Sequence, residues 1–186
     1  MATREMTAAE RSTWNIDTDH TNVGFSVRHM MITTVRGQFV GVSGTVELDE
    51  EDITQSRVSV RIDAATVDTR SGQRDEHLRS ADFFDVASHP YITFESRTVR
   101  KAGKGRIAME GDLTIRGVTR QVVLDVIEEG RGVDPWGGER VAFTAETKID
   151  RTDYGLTWNQ ALEAGGVLVS DEVKLVLEVQ AVRADG

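Results

Sequence analysis

Apolar residues recur at every second position through most of this chain. Val23, Phe25 and Val27 share one face, as do Val58, Val60, Ile62 and Ala64. The series Ile107, Met109, Gly111, Leu113 and Ile115 runs opposite Arg106, Glu110, Asp112, Thr114 and Arg116. The same pattern returns at Val122, Leu124 and Val126, at Val141, Phe143, Ala145, Thr147 and Ile149, and at Val173, Leu175, Leu177, Val179 and Ala181. Successive strand side chains point to opposite faces, so each run predicts a strand with one dry and one wet face. Turn formers separate the runs: Asp49–Asp52, Gly103–Gly105, Arg116-Gly117, Asp134-Pro135 with Gly137-Gly138, and Gly165-Gly166. The chain therefore reads as all-β, with about eight antiparallel strands closing into a barrel, since closure protects the edges of long strands. Gly37, Gly41, Gly44 and Gly111 fall inside strand patterns, and the apolar parity shifts between Phe39 and Val40. Bulges or sharp coiling at a barrel corner account for both.

A barrel of roughly eight strands is either filled by its own side chains or holds one small ligand. The residues inferred to face inward include Phe25, Val60, Phe94, Met109, Leu113, Leu124, Phe143 and Leu177. Most others on the inward face are Val, Ala, Gly and Leu, which leave room. An ordinary packed core fits these residues equally well.

One segment breaks the alternation. In TRSGQRDEHLRSADFFDVASHPYITFES, from Thr69 to Ser96, Ser71 suits a helix cap, with Asp75 and Glu76 in the first turn where the helix dipole favours acids. A short helical insert is expected near residues 71–85, with Arg74, His77 and Leu78 on one face. Leu78 and the Phe83–Phe84 pair are expected to close one barrel end, with Arg74 and Asp75 holding the insert by ion pairing. His29 continues the parity of Val23, Phe25 and Val27, which aims it inward at a mouth. There it could meet a ligand's head group or be satisfied by a neighbouring strand's backbone. Arg151, Asp153, Tyr154, Gly155 and Trp158 form a second loop, either a rim or a simple connection.

Composition narrows the chemistry. The net charge of −9 disfavours nucleic acid and acidic lipid surfaces as partners. With no cysteine there is neither a disulfide nor a thiolate site. His20, His29, His77 and His89 lack metal-ligand spacing, and neither a G-x-S-x-G elbow nor a phosphate-binding glycine loop is present. Asp17 and Asp19 share a strand face but no shaped pocket. Residues 1–12 read as a polar, mobile tail ahead of a single domain over 13–184. No signal peptide or membrane span is visible, which favours the cytoplasm.

The insert, with its RDEHL, DFFD and HPYITFES stretches, is similar to the central signature of the YceI-like polyisoprenoid-binding family. The resemblance continues from Trp14 to Phe39, at GDLTIRGVTR (Gly111 to Arg120) and at DYGLTWN (Asp153 to Asn159). It implies a lipocalin-like antiparallel eight-stranded barrel whose bore encloses an isoprenoid tail, as in quinones or polyprenyl lipids. Storage, transport or sequestration would follow, without bond-making and with no cofactor besides the bound lipid; a homodimer is also implied. The residues expected to meet the ligand are Phe25, His29, Val60, Arg74, Leu78, Phe84, Phe94, Met109, Leu113, Leu124, Phe143, Trp158 and Leu177. Two other classes stay open: an enzyme acting on such a lipid through His29 and Arg74, and a protein-binding module, whose sign would be a large exposed apolar patch.

Overall fold

The computed structural model describes residues 11–163 and 165–184. The alternating runs are strands: β1 (Arg11–Ile16), β2 (Asn22–His29), β3 (Thr33–Phe39), β4 (Val42–Asp49), β5 (Arg57–Asp63), β6 (Val67–Asp68), β7 (Tyr91–Lys101), β8 (Arg106–Ile115), β9 (Val118–Val133), β10 (Glu139–Asp150) and β11 (Val169–Arg183). One α-helix is found among the described residues, α1 (Gly72–Arg79), between β6 and β7.

These segments build a closed barrel of eight staves, because three staves are each broken once. The path β1–β2 is interrupted by a 3-10 turn at Thr18–His20, β3–β4 at Val40-Gly41, and β5–β6 by a 3-10 turn at Ala64–Thr66. Both halves of a broken stave keep the same neighbours: β1 pairs with β4 and β2 with β3, while β4 pairs with β5 and β3 with β6. Every pairing is antiparallel between staves adjacent in sequence, and β11 returns to β1 and β2 to close the sheet. Closure leaves no long edge to template aggregation.

The broken staves revise three expectations. Asp17 and Asp19 do not share a strand face; Asp17 caps the first 3-10 turn by accepting from the Asp19 N–H. The polar tail was expected to run through residue 12, yet Arg11 and Ser12 already pair with Asp49 and Leu48 in β1; residues 1–10 lie outside the described residues. The in-strand glycines serve two purposes. Gly44, at φ +153°, carries the chain around a corner, where a Cβ would lie 2.1 Å from the Ser59 carbonyl oxygen. Gly37 and Gly111 make room for aromatic rings: a Cβ would lie 2.3 Å from Phe25 Cζ at the first and 2.5 Å from Phe94 Cζ at the second, and Gly111 also lies opposite the expected bulge, in β7 between Ser96 and Thr98.

The insert occupies the wall where β7 would otherwise extend along β6. Pairing of β5 with β7 ends at Asp63 opposite Tyr91, and α1 packs on β6. Ser71 caps α1, accepting from the Arg74 N–H. Among the described residues no helix is long and apolar enough to cross a membrane.

Candidate functional site

Inward faces of the staves do not meet across the barrel. They enclose two apolar chambers, of about 250 Å³ at the insert end and about 110 Å³ beyond it. Val23, Ile62 and Leu175 line both chambers and form the waist between them. Past the narrower chamber the core closes: Trp14, one step beyond Ile16 on the same face of β1, is 2% exposed. Phe25, Phe143, Leu175 and Leu177 face inward yet are only partly buried, because they border open bore and not other side chains.

Phe25, His29, Arg74, Leu78, Phe84 and Trp158 line the larger chamber. Val60, Phe94, Met109, Leu113, Leu124, Phe143 and Leu177 line the narrower one. The eight residues inferred to face inward, and His29, therefore border the bore, whereas Ala64, Val141, Thr147 and Ala181 of the same parity series do not.

The insert is fixed by a different device from the one expected. Arg74 and Asp75 do not pair with each other; both bind Thr69. Asp75 Oδ1 accepts from the Thr69 N–H at 2.9 Å and from its hydroxyl at 2.6 Å, while Arg74 donates to the Thr69 hydroxyl and carbonyl, each at 2.7 Å. Thr69 and Asp75 are both buried. Arg116 donates to the Phe83 carbonyl, and Arg79 to the Ala65 and Val67 carbonyls, tying the insert to the barrel at further points.

Above the larger chamber, three rings form a lid. His77 stands edge-on to Trp158 at 4.6 Å and to Phe83 at 5.1 Å, with its Nε2 2.9 Å from Asp82 Oδ2. Trp158 belongs to the loop after β10, which Arg151 organises. That guanidinium, 5% exposed, donates to the carbonyls of Leu156, Trp158, Val169 and Ser170. Burial lowers its pKa, opposed by Asp171 and Asp150. The loop is thus the built wall of a mouth.

His29 sits at that mouth, paired in the ladder with Val169 and Thr33. No residue hydrogen-bonds its imidazole among those described, so the backbone-satisfied alternative does not hold. The next turn, Met30-Met31, places both residues at positive φ, 52° and 62°, and Ile32 N–H closes it onto the His29 carbonyl. Met30, Met31, Ile32 and Val167 form an exposed apolar rim here. No cluster of metal-ligating side chains occurs among the described residues.

Thr69, Arg151 and Tyr154 line the larger chamber but were not among the expected ligand contacts. Thr69 lies in a loop and Arg151 and Tyr154 in a 3-10 turn, Arg151–Tyr154, where alternation carries no signal; the sequence marks the latter two only as part of a rim or connection.

The model of the YceI-like domain matches residues 14–181. This chain belongs to the YceI-like family. Among its YceI-like relatives, a UPF0312 protein of Serratia proteamaculans is 39% identical over 89% of this chain and 82% of its own length. Protein YceI of Salmonella newport is 38% identical over 88% and 82% respectively. In solved structures, the YCEI protein of Campylobacter jejuni shares 30% identity with a TM-score of 0.73, covering 85% of this chain and 90% of that one. A polyisoprenoid binding domain from Saccharophagus degradans shares the YceI-like fold, with a TM-score of 0.67 at 14% identity over 94% of this chain and 100% of that one.

Proposed function

We propose that this YceI-like chain binds a long isoprenoid lipid, quinone-like or polyprenyl, along its bore. It stores, moves or sequesters that lipid without changing its bonds. The observation that carries this reading is the pair of apolar chambers inside the barrel, which share Val23, Ile62 and Leu175 in their walls. Burying such a chain is worth about 0.8 kcal/mol per methylene before entropic losses, and nearer ~0.3 kcal/mol per heavy atom for a ligand this large. The fold shared with a polyisoprenoid binding domain supports the same ligand class. An enzyme built on His29 and Arg74 is the weaker reading. Arg74 donates to the Thr69 hydroxyl and carbonyl, and among the described residues no acid hydrogen-bonds the His29 imidazole to hold its tautomer.

Organic extraction of the purified protein, followed by mass spectrometry, tests the proposal. A series of masses spaced by isoprene units is expected. Straight-chain acyl lipids alone, or failure to take up an added prenol, would contradict it.

A further inference from the structure

Two adjacent tips continue the wall of the larger chamber. Arg28 and His29 line that chamber and the turn Met30-Met31 follows them directly; Leu168 and Val169 line it too, and Gly166-Val167 comes directly before them. The tips hold each other: the Met30 N–H donates to the Leu168 carbonyl at 2.8 Å, and a Cβ on Gly166 would lie 3.4 Å from Met31 Cγ. Met30 and Val167 are exposed, Met31 is 59% exposed and Ile32 69%, so hydrocarbon stands in water beside the bore. The backbone shows that this placement is costly. Met30 and Met31 both sit at positive φ, where Asn-Gly is the unstrained choice and a Cβ crowds the following carbonyl. The other non-glycine residues at positive φ among those described, Arg70, Asp85 and Arg116, are all polar. Exposed Val133 and Trp136 adjoin another turn, but there Gly137 takes the positive φ. Only at the mouth do strain and exposed hydrocarbon coincide among the described residues, and strain kept beside a binding site points to a use.

We propose that this rim docks the protein on a zwitterionic lipid bilayer, seating the mouth of the bore against it so that ligand passes between bilayer and chamber. For its purpose this rests on the lipid reading above. A long prenyl chain has little solubility in water, so a bilayer is the phase that supplies or receives it. Four apolar side chains are far fewer than the ~20–30 residues that each partner gives to a stable protein interface. Bilayer binding scales instead with the apolar area inserted, so a small tip suffices for reversible docking. The net charge of −9 sets a zwitterionic surface above an anionic one.

The test compares wild type with the double variant Met30→Asn, Met31→Gly, which removes both methionines yet suits the backbone of the turn, so a loss of docking does not come from unfolding. Flotation with phosphatidylcholine vesicles needs no prenol. It should recover wild type and roughly tenfold less of the variant, with no gain for wild type when phosphatidylserine is added. Ile32→Thr, which leaves both strained positions alone, should weaken flotation in the same direction. Transfer of geranylgeraniol from the vesicles should slow in the double variant, while its affinity for geranylgeraniol added from ethanol stays that of wild type. Equal flotation of wild type and double variant, or flotation only with phosphatidylserine, would overturn the proposal. A wild-type dimer that the double variant loses, with neither protein floating, would overturn it too, since the rim would then face a second copy. If wild type floats and the double variant does not, yet neither takes up geranylgeraniol, docking stands and the lipid reading fails.

Discussion

Replacing Gly37 by alanine should narrow the bore without unfolding the barrel. Gly37 in β3 lies opposite Phe25 in β2, and a Cβ there would stand 2.3 Å from Phe25 Cζ and 2.8 Å from Thr69 Cγ2. Carbon atoms settle at ~3.5–4.0 Å, so the ring must withdraw by more than about 1 Å. The obstacle is the far end of a rotatable side chain, and the larger chamber gives it room to swing. Overpacking of this kind costs ~1–3 kcal/mol. Gly111→Ala is the contrasting case: its Cβ would lie 2.5 Å from the main-chain oxygen of Glu95 as well as from Phe94 Cζ, so the β7–β8 ladder must give way. Urea unfolding should find Gly37→Ala the milder change. Excluding one or two methylenes of ligand, at ~0.8 kcal/mol each, weakens binding by roughly four- to fifteenfold. Trp158, which lines the chamber, reports prenol binding by fluorescence. A folded Gly37→Ala protein with wild-type prenol affinity, or one less stable than Gly111→Ala, would refute the reasoning.

Arg151→Met removes the donor from four carbonyls, each worth ~1–3 kcal/mol if left buried and unsatisfied. Hydrogen exchange should accelerate across the loop that carries Trp158, and unchanged protection there would count against Arg151 as its organiser. Arg140 bonds Asp17 at 2.6 Å and Asp134 at 2.9 Å. Its hydrogen bond holds Asp17 below the usual carboxylate value of 3.8, and the Gly138 N–H together with Arg140 does the same for Asp134. Their folded values lie below their unfolded ones, so this stability is full above about pH 4 and drains as pH falls through the lowered values. Arg140→Ala should therefore lose less between pH 5 and 2 than wild type in urea titrations; an equal loss would contradict the assignment. Replacing Met30-Met31 by Asn-Gly relieves two non-glycine residues at positive φ in a tight hairpin turn, and should stabilise by about 1 kcal/mol or more. Thermal denaturation should show a rise of roughly 2–4 °C, whereas a fall would mean that the turn is not strained.

Much of the bore was legible because alternation is a local signal with a strict period. Once Arg106 and Glu110 had to face water, Met109 and Leu113 had to face inward, and the register of β8 against β7 and β9 agrees. The helix was legible for a similar reason, since Ser71 and Asp75 satisfy local rules. Tertiary partners were not. Nothing in the local sequence says that Arg74 and Asp75 both turn to Thr69, because the shared acceptor and donor become visible only once the chain folds back. Breaks in the staves at Thr18–His20 and Ala64–Thr66 leave no mark in the alternation, because a 3-10 turn spans too few residues to disturb a period of two. Gly111 lies opposite the bulge that its place in a strand predicts, but the rings of Phe25 and Phe94 that lie over Gly37 and Gly111 are tertiary contacts without a local signal. The sealed hydroxyl of Tyr154, without a partner among the described residues, is a property of the assembled fold alone.

The central claim is that the ligand lies inside the barrel. A crystal structure of the protein carrying a prenol brominated at the far end of its chain tests it directly. The account predicts an anomalous peak in the narrower chamber, among Met109, Leu113 and Leu124. A peak on the outer wall, such as the groove bordered by Arg36, Arg70 and Lys174, would contradict it.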